Sequence, residues 1–305
     1  MVKRLILTAI TALALSASAQ DWGLNWISCP TAGPTDQVWF RRPFVLKQRP
    51  DAARLTIACS GRFDLFVNGY NVSTDVLMPG SYEPSDTVRL MTFEVGRYLR
   101  PDTNVVAVWY SPGGPTRKQI ALTLNGSGFA GSDLAVTTDR TWLCRPANAR
   151  TETDGSETID DNAYVDYWNR KEVSPLGWQF AEEPTGLPPS PLAIVPLIYH
   201  ARRICRITRY TFLDDYGHDL AYYFGHNFDG WVRVTLRGMN SGDTLRINGL
   251  TYVCSGRTDE QACRQFTSAP ASLAVINGPE GFSRENVANI EAIDIETYLH
   301  TGYLY

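Results

Sequence analysis

The sequence predicts an all-β protein of two β-sandwich modules of the jelly-roll or concanavalin-like type. Three observations carry this prediction. Apolar residues alternate with polar ones over many short runs, turn residues separate those runs, and no uninterrupted stretch of about 12 or more residues shows an amphipathic helical stripe. Many short strands between turn signals are typical of β-sandwiches.

The predicted strands are rich in β-branched and aromatic residues. Turn signals such as Ser60-Gly61, Asn68-Gly69 and Asn125-Gly126 separate them. The clearest strands are Arg54–Cys59, Phe63–Val67, Val105–Tyr110, Ile120–Leu124, Trp231–Leu236, Thr244–Ile247, Ser272–Ile276 and Ile290–Leu299.

The first 20 residues have the layout of a secretory signal peptide. The basic pair Lys3 and Arg4 precedes the apolar run Leu5–Leu15, and the small residues Ser16–Ala19 follow. The apolar run is far shorter than the ~20 residues of a membrane-spanning helix. We therefore expect a soluble protein, secreted or periplasmic after the signal peptide is removed, with no membrane insertion.

The mature chain of about 285 residues is long enough for two domains with full cores. The segment Pro184–Pro191 is rich in proline and lacks periodicity, which indicates an extended linker. We therefore predict a first module over 21–183, a linker over 184–196 and a second module over 197–305. The polar stretch Arg150–Asn162 is interpreted as a surface loop.

The net charge is −4 and the basic residues do not cluster, so a nucleic-acid partner is not expected. The four histidines form no paired ligand pattern and no Cys pair has the spacing of a zinc site. We therefore expect no metal site and no cofactor.

Six cysteines in an exported chain can form disulfides. They allow 15 pairings, among which the sequence does not choose. A local bridge between Cys254 and Cys263 is one alternative, and buried free thiols are another. The six are Cys29, Cys59, Cys144, Cys205, Cys254 and Cys263.

Three motifs follow one another in the predicted first module: Trp39–Phe44, Cys59-Ser60-Gly61 with the following Phe63–Gly69, and the core strand Asn104–Val108. In this order they resemble the N-terminal β-sandwich of α-L-rhamnosidases. Further along, Asp160–Asp166 is similar to the family's acidic Tyr-Asp stretch, and the Trp-containing segment that follows it includes Trp168, Trp178 and Ala181.

The predicted second module resembles the concanavalin-like sandwich of the same enzymes. Phe224–Val234 is similar to the family pattern Phe-Gly-Gln-Asn-Phe, a small residue, Gly-Trp and a strand, and Gly242–Leu245 follows in the same order. Gly225 and Gly230 permit backbone turns within this pattern. Val232 and Val234 are expected on one strand face, opposite Trp231 and Arg233.

The resemblance implies a non-catalytic chain. In the family, a helical (α/α) barrel after the second sandwich supplies the catalytic acidic pair, and this sequence ends close to where that barrel would begin. Glycoside hydrolysis needs two carboxyl groups about 5 to 9.5 Å apart. The tandem acids Asp160-Asp161, Glu182-Glu183 and Asp214-Asp215 point to opposite faces of an extended strand, so we expect surface carboxylates and no catalytic residue.

Carbohydrate sites combine aromatic rings, which cover the apolar face of a sugar, with carboxylates and amides that bind its hydroxyls. Two clusters of this chain combine these residue types. The alternative is that their rings fill cores or the seam between modules. We also expect Ala at Trp168 and Tyr167 to remove glycan binding with little change in the thermal midpoint. The predicted carbohydrate-binding residues are Asp161, Tyr164, Asp166, Tyr167, Trp168, Asn227 and Asp229.

The sequence therefore favours a secreted carbohydrate-binding or accessory protein in polysaccharide utilisation. Its expected partner is a glycan, with rhamnose-containing glycans as candidates. Two alternatives stay open. One is an α-L-rhamnosidase-like glycoside hydrolase, and the other is a structural or interaction protein that binds an exported protein partner.

Overall fold

A computed structural model describes residues 25–80, 88–113, 119–127, 134–185, 192–194, 199–217 and 219–301. The predicted signal peptide lies outside the described residues, as do residues 186–191 and 195–196 of the predicted linker.

The first half of the chain contributes twelve of the described strands, because its apolar residues follow a period of two. Short 3-10 helices occur at Gly96–Tyr98 and Asp161–Ala163. The strands are β1 Asp36–Leu46, β2 Ala52–Cys59, β3 Gly61–Val67, β4 Tyr70–Asn71, β5 Val88–Glu94, β6 Asp102–Pro112, β7 Ile120–Ser127, β8 Leu134–Thr137, β9 Leu143–Thr151, β10 Glu157–Asp160, β11 Gln179–Phe180 and β12 Leu192–Ile194.

The second half contributes eight described strands and a 3-10 helix at Arg284–Asn286. All eight strands predicted from the sequence lie within observed strands of the two halves. The strands of the second half are β13 Tyr199–Arg209, β14 Phe212–Asp215, β15 Asp219–Leu236, β16 Thr244–Ile247, β17 Leu250–Val253, β18 Glu260–Ala262, β19 Ala269–Asn277 and β20 Val287–His300.

The described strands form two sheets. The smaller has the order β12-β5-β2-β7-β8. The larger runs through both modules in the order β13-β20-β15-β19-β16-β17-β10-β9-β1-β6-β3-β4, with β11, β14 and β18 paired at its sides. The modules meet where β10 pairs in parallel with β17, so that Glu157 lies opposite Leu250 and Asp160 opposite Val253.

The first core lies between the smaller sheet and the β9-β1-β6-β3 part of the larger one. Alternation along β1 directs Val38 and Phe40 into this core, while Trp39 and Arg41 lie on the outer face of the same sheet. Trp39 and Arg41 are also buried, so a further layer covers that outer face.

The second core is built by strand β15, which bends in its middle. Its first part pairs with β14 and β19, and its second part pairs with β20 and β18. Both Phe224 before the bend and Val234 after it lie in one core. Gly230 is required at the bend, because a Cβ there would lie 2.0 Å from the Ile293 carbonyl oxygen.

Two sequence interpretations differ from the structure. The stretch Arg150–Asn162 contains β10, which is held between β9 and β17, and its Glu157 is fully buried. Arg150, Thr153 and Asp154 are exposed, as a surface loop would have them, whereas Glu157 accepts hydrogen bonds from backbone amides of the second module. Within the predicted linker, Leu192–Ile194 forms a strand parallel to β5 and therefore extends the smaller sheet.

The all-β prediction is confirmed, with two sheets and no α-helix among the described residues. In the same part of the chain, no helix has the length and apolarity needed to cross a membrane.

Candidate functional site

The outer face of the larger sheet in the first module is covered by residues 161–178, here called the strap. The strap follows β10 and ends at β11, so both of its ends are fixed by strand pairing. It contains five of the seven residues that the sequence predicts for carbohydrate binding. The apolar side chains between the strap and the sheet form their own cluster around Trp39.

Trp168 anchors the strap. Its ring stacks on Trp39 with centroids 5.2 Å apart and planes 12° apart, and it meets Phe66 edge-on at 5.4 Å. Only 2% of Trp168 is exposed. Aromatic pairs of this kind contribute about 0.5–1.5 kcal/mol beyond the area they bury. Trp168 therefore packs against the sheet and does not offer a ring face to a ligand.

Tyr164 is a second, half-buried contact of the strap. Its ring meets Trp39 edge-on at 5.7 Å. Burial raises the pKa of Tyr164, and the nearby carboxylates of Asp166 and Asp161 raise it further. The tyrosine therefore keeps its hydroxyl proton and can act as a hydrogen-bond donor.

The acidic residues of the strap connect it to the second module. Asp161 accepts a hydrogen bond from the Ser255 hydroxyl, and Asp166 forms an ion pair with Arg257 at 3.2 Å. Between them, Asn162 donates to the Cys254 carbonyl oxygen at 2.9 Å. These contacts position the strap against the loop that follows β17.

Tyr167 differs from its neighbour Trp168 in pointing outward, with 57% of the residue exposed. Its φ of +59° lies in the left-handed region, which few residues other than glycine adopt. The guanidinium carbon of Arg170 lies over its ring, 5.5 Å from the centroid. Backbone strain held at an exposed aromatic residue is typical of binding sites.

The surface around Tyr167 includes tyrosines that the sequence did not point to. Arg170 reaches the turn at Gly69, where a Cβ would lie 2.5 Å from its Nε, and Tyr70 follows this turn with 65% exposure. Tyr70 stacks on Tyr98 with centroids 6.2 Å apart. We call Tyr70, Tyr98, Tyr167 and Arg170 the tyrosine surface.

The sequence contains a signal for the exposure of Tyr70 but none for the position of Arg170. The turn signal Asn68-Gly69 places Tyr70 just after a hairpin turn, where side chains are exposed. Nothing in the sequence shows that Arg170, which is about 100 positions away, reaches the same turn. The backbone carbonyl of Arg170 is held by Arg41, whose Nη2 donates to it at 2.8 Å.

The other two predicted binding residues lie on β15, away from the contacts of the strap. Asn227 is exposed within the register shift between Tyr223 and Phe228. Asp229 forms an ion pair with Arg202 of β13 at 3.3 Å, and its backbone amide donates to Asp294 of β20. The structure therefore divides the predicted residues between the strap and β15.

The tandem carboxylates have structural partners. Asp160 accepts from the Asn162 amide, and Asp215 accepts from the Gly217 amide, both at 3.0 Å. Glu183 pairs with Arg140 at 3.4 Å. Within the described part of the chain, no group of three or more His, Cys, Asp or Glu is arranged to hold a metal ion.

Part of the chain is similar to the N-terminal domain of an enzyme family. Residues 48–193 match the family model described as "Alpha-L-rhamnosidase N-terminal domain". A curated α-L-rhamnosidase from Formosa agariphila is 25% identical over 186 residues, which cover 52% of this chain and 20% of that protein.

Solved α-L-rhamnosidases share the fold. The Dictyoglumus thermophilum protein has a TM-score of 0.78 at 20% identity, over 91% of this chain and 36% of its own. The Aspergillus terreus protein has a TM-score of 0.76 at 19% identity, over 92% of this chain and 36% of its own. The Streptomyces avermitilis protein, solved in complex with L-rhamnose, has a TM-score of 0.74 at 19% identity, over 87% of this chain and 29% of its own.

These matches confirm the resemblance to the N-terminal region of α-L-rhamnosidases. The chain spans 20% of the curated relative and 29% to 36% of these solved ones.

Proposed function

Because the chain is related to the N-terminal region of α-L-rhamnosidases, we propose that it is a secreted or periplasmic accessory protein that binds carbohydrate without catalysis. It would act in polysaccharide utilisation, with a rhamnose-containing glycan as its ligand. The tyrosine surface is its binding site. The choice of rhamnose is supported by the L-rhamnose complex of the Streptomyces avermitilis relative.

The observation that carries this proposal is the exposed ring of Tyr167 on a left-handed backbone. A non-glycine residue in this conformation costs about 1–3 kcal/mol, which the surrounding structure must offset. Here the buried Trp168 and the Arg41 hydrogen bond to the Arg170 carbonyl oxygen hold the strap just after it. The protein thus fixes an aromatic ring on its surface, where only Arg170 is recorded against the ring.

The surroundings of Tyr167 suit a sugar. Aromatic ring faces attract the C–H face of a pyranose, and Tyr167 and Tyr70 each leave more than half of their surface accessible. Arg170 lies beside both and supplies hydrogen-bond donors for hydroxyl groups. Asp166 adds an exposed carboxylate acceptor next to Tyr167 in the chain.

Affinity electrophoresis tests for glycan binding. Residues 21–305 are run through gels that contain rhamnose-rich polysaccharides. Retardation by one polysaccharide and not by others is expected. Uniform mobility across the panel would contradict glycan binding, and release of rhamnose from an aryl α-L-rhamnoside would contradict the non-catalytic assignment.

The variant Tyr167→Gly tests the site. It removes the ring and relieves the backbone strain, so the thermal midpoint should not fall while the dissociation constant rises about tenfold, corresponding to ~1.4 kcal/mol. Tyr216→Ala is the matched control, since Tyr216 is 69% exposed in the second module. Equal affinity of Tyr167→Gly and the unmodified chain would remove the tyrosine surface as the site.

Binding of an exported protein is the second candidate function. It is supported by β13, which lies at the end of the larger sheet and exposes Ile204 and Ile207. A stoichiometric complex that forms without glycan and is lost in Ile207→Lys would favour this candidate.

A further inference from the structure

Two cysteines of the first module lie on neighbouring segments beside β11. Cys144 is on β9 and pairs with Gln179 of β11. Cys29 follows Ser28, which forms a β-bridge with Glu182, just beyond the other end of β11. Both cysteines are buried in the first core. The chain therefore brings together two thiols that are 115 positions apart in the sequence.

Gln179 of β11 contacts both residues. Its backbone pairs with Cys144, and its side-chain amide donates a hydrogen bond to Cys29 Sγ at 3.3 Å. Both cysteines belong to the same cluster of buried residues. The backbone amide of Cys29 donates to Gln119 Oε1 at 2.9 Å, which fixes the position of this residue. Cys144 is likewise held by the pairing of β9 with β1 and β11.

The surroundings of the pair favour one sulfur as the nucleophile. The contact with Cys144 and hydrogen bonds from Thr31 and Gln179 lower the pKa of Cys29 to about 6, although burial opposes the shift. The contact with Cys29, together with burial, raises the pKa of Cys144. Cys29 is therefore the thiolate of the pair near neutral pH.

The other four cysteines have different surroundings. Cys254 lies in the second core, whereas Cys263 packs in a separate cluster with Trp231. A disulfide bond between Cys254 and Cys263, which the sequence allows, would therefore have to join two separate clusters. Cys59 contacts the backbone of its own turn, and Cys205 donates to the Asp294 carbonyl oxygen.

We propose that Cys29 and Cys144 form a disulfide bond in the mature protein. The oxidant is a protein or small-molecule disulfide, which reacts by exchange. The Cys29 thiolate attacks one sulfur of the oxidant and releases its first thiolate. Cys144 then loses its proton to solvent and attacks Cys29 Sγ, which releases the second thiolate. The two electrons leave with the oxidant, now two thiols.

The bond has a structural consequence that is independent of the proposed carbohydrate binding. It joins the segment at Cys29 to β9 across β11, the strand at which the strap ends. A disulfide that closes so long a loop restricts the unfolded chain strongly. The oxidised protein should therefore unfold at a higher temperature than the reduced one.

Mass spectrometry tests the proposal. The full chain is equilibrated in glutathione redox buffers, alkylated under denaturing conditions and digested with trypsin. The expected product links the peptide ending at Arg41, which contains Cys29, to the peptide 141–150, which contains Cys144. Reduction should separate the two and lower the thermal midpoint by ~10 °C.

Variants separate this bond from other pairings. In the Cys29→Ala variant, Cys144 should be alkylated and reduction should no longer change the thermal midpoint. The Cys205→Ser variant should give the same disulfide-linked peptide and the same effect of reduction as the unmodified chain. Complete alkylation of Cys29 and Cys144 at every redox ratio would overturn the proposal, as would a peptide in which Cys29 is linked to another cysteine.

Discussion

At the scale of single residues, the strap shows how neighbours can have opposite roles. Trp168 is buried against Trp39, whereas Tyr167 beside it is exposed on a left-handed backbone. The buried position of Trp168 reverses the sequence-based expectation that its removal would leave stability unchanged.

Trp168→Ala should lower the free energy of unfolding by about 3–5 kcal/mol, because it leaves a cavity between the strap and the sheet. Trp168→Phe should cost less, since a ring remains to stack on Trp39. Leu176→Ala is the control on the same strap, because Leu176 is 84% exposed and should change stability by less than about 0.5 kcal/mol. Urea unfolding measures all three, and equal loss for Trp168→Ala and Leu176→Ala would contradict the anchoring role.

At the scale of elements, β10 joins the modules in two ways. Its backbone pairs with β9 on one side and with β17 on the other. Its buried Glu157 accepts hydrogen bonds from the backbone amides of Gln265, Phe266 and Thr267 at 3.0, 2.9 and 2.6 Å. The strand therefore positions the loop after β18 as well as the start of the strap.

Glu157→Gln should lower the free energy of unfolding by about 2–4 kcal/mol. The neutral amide replaces one carboxylate oxygen by a donor, which then faces the amide donors of the loop. Urea unfolding checks the loss, and Glu280→Gln at an exposed position serves as the control. If the two variants unfold at the same urea concentration, Glu157 does not hold the loop.

At the scale of the whole molecule, several contacts besides β10 tie the modules together. Arg62 of β3 donates to the Phe266 carbonyl oxygen, and Gln265 donates to Asp64 Oδ2 at 2.6 Å. Asp75 of the first module accepts hydrogen bonds from Tyr199 and Tyr298 of the second. These contacts are polar and largely buried, so they fix the relative position of the modules.

Asp64 makes the stability of this seam depend on pH. Burial raises its pKa to about 6, against the opposing hydrogen bond from Gln265. Since the pKa is higher in the folded than in the unfolded state, the stabilisation is complete below about pH 4 and is lost as pH rises through 6.

Asp64→Asn removes this pH dependence, because an amide does not titrate. Its carbonyl oxygen still accepts the hydrogen bond from Gln265. The variant should be more stable than the unmodified chain by about 3 kcal/mol at pH 7 and nearly equal to it at pH 4, as measured by urea unfolding. A difference between the two proteins that is the same at both pH values would contradict the assignment.

The sequence by itself determined the fold class and the resemblance to α-L-rhamnosidases. Alternation fixes which residues of a strand share a face, and eight strands were located on that basis. Likewise, Gly225 and Gly230 indicated the bend of β15, because their permissive backbones are local properties.

Only the tertiary structure decided what covers each face. The parallel pairing of β10 with β17 joins residues about 90 positions apart, and no local pattern encodes it. Both faces of β1 are buried because the strap lies over one of them, so Trp168 became an anchor and Tyr167 a surface residue. Periodicity shows which residues point the same way, but burial depends on distant segments that pack against them.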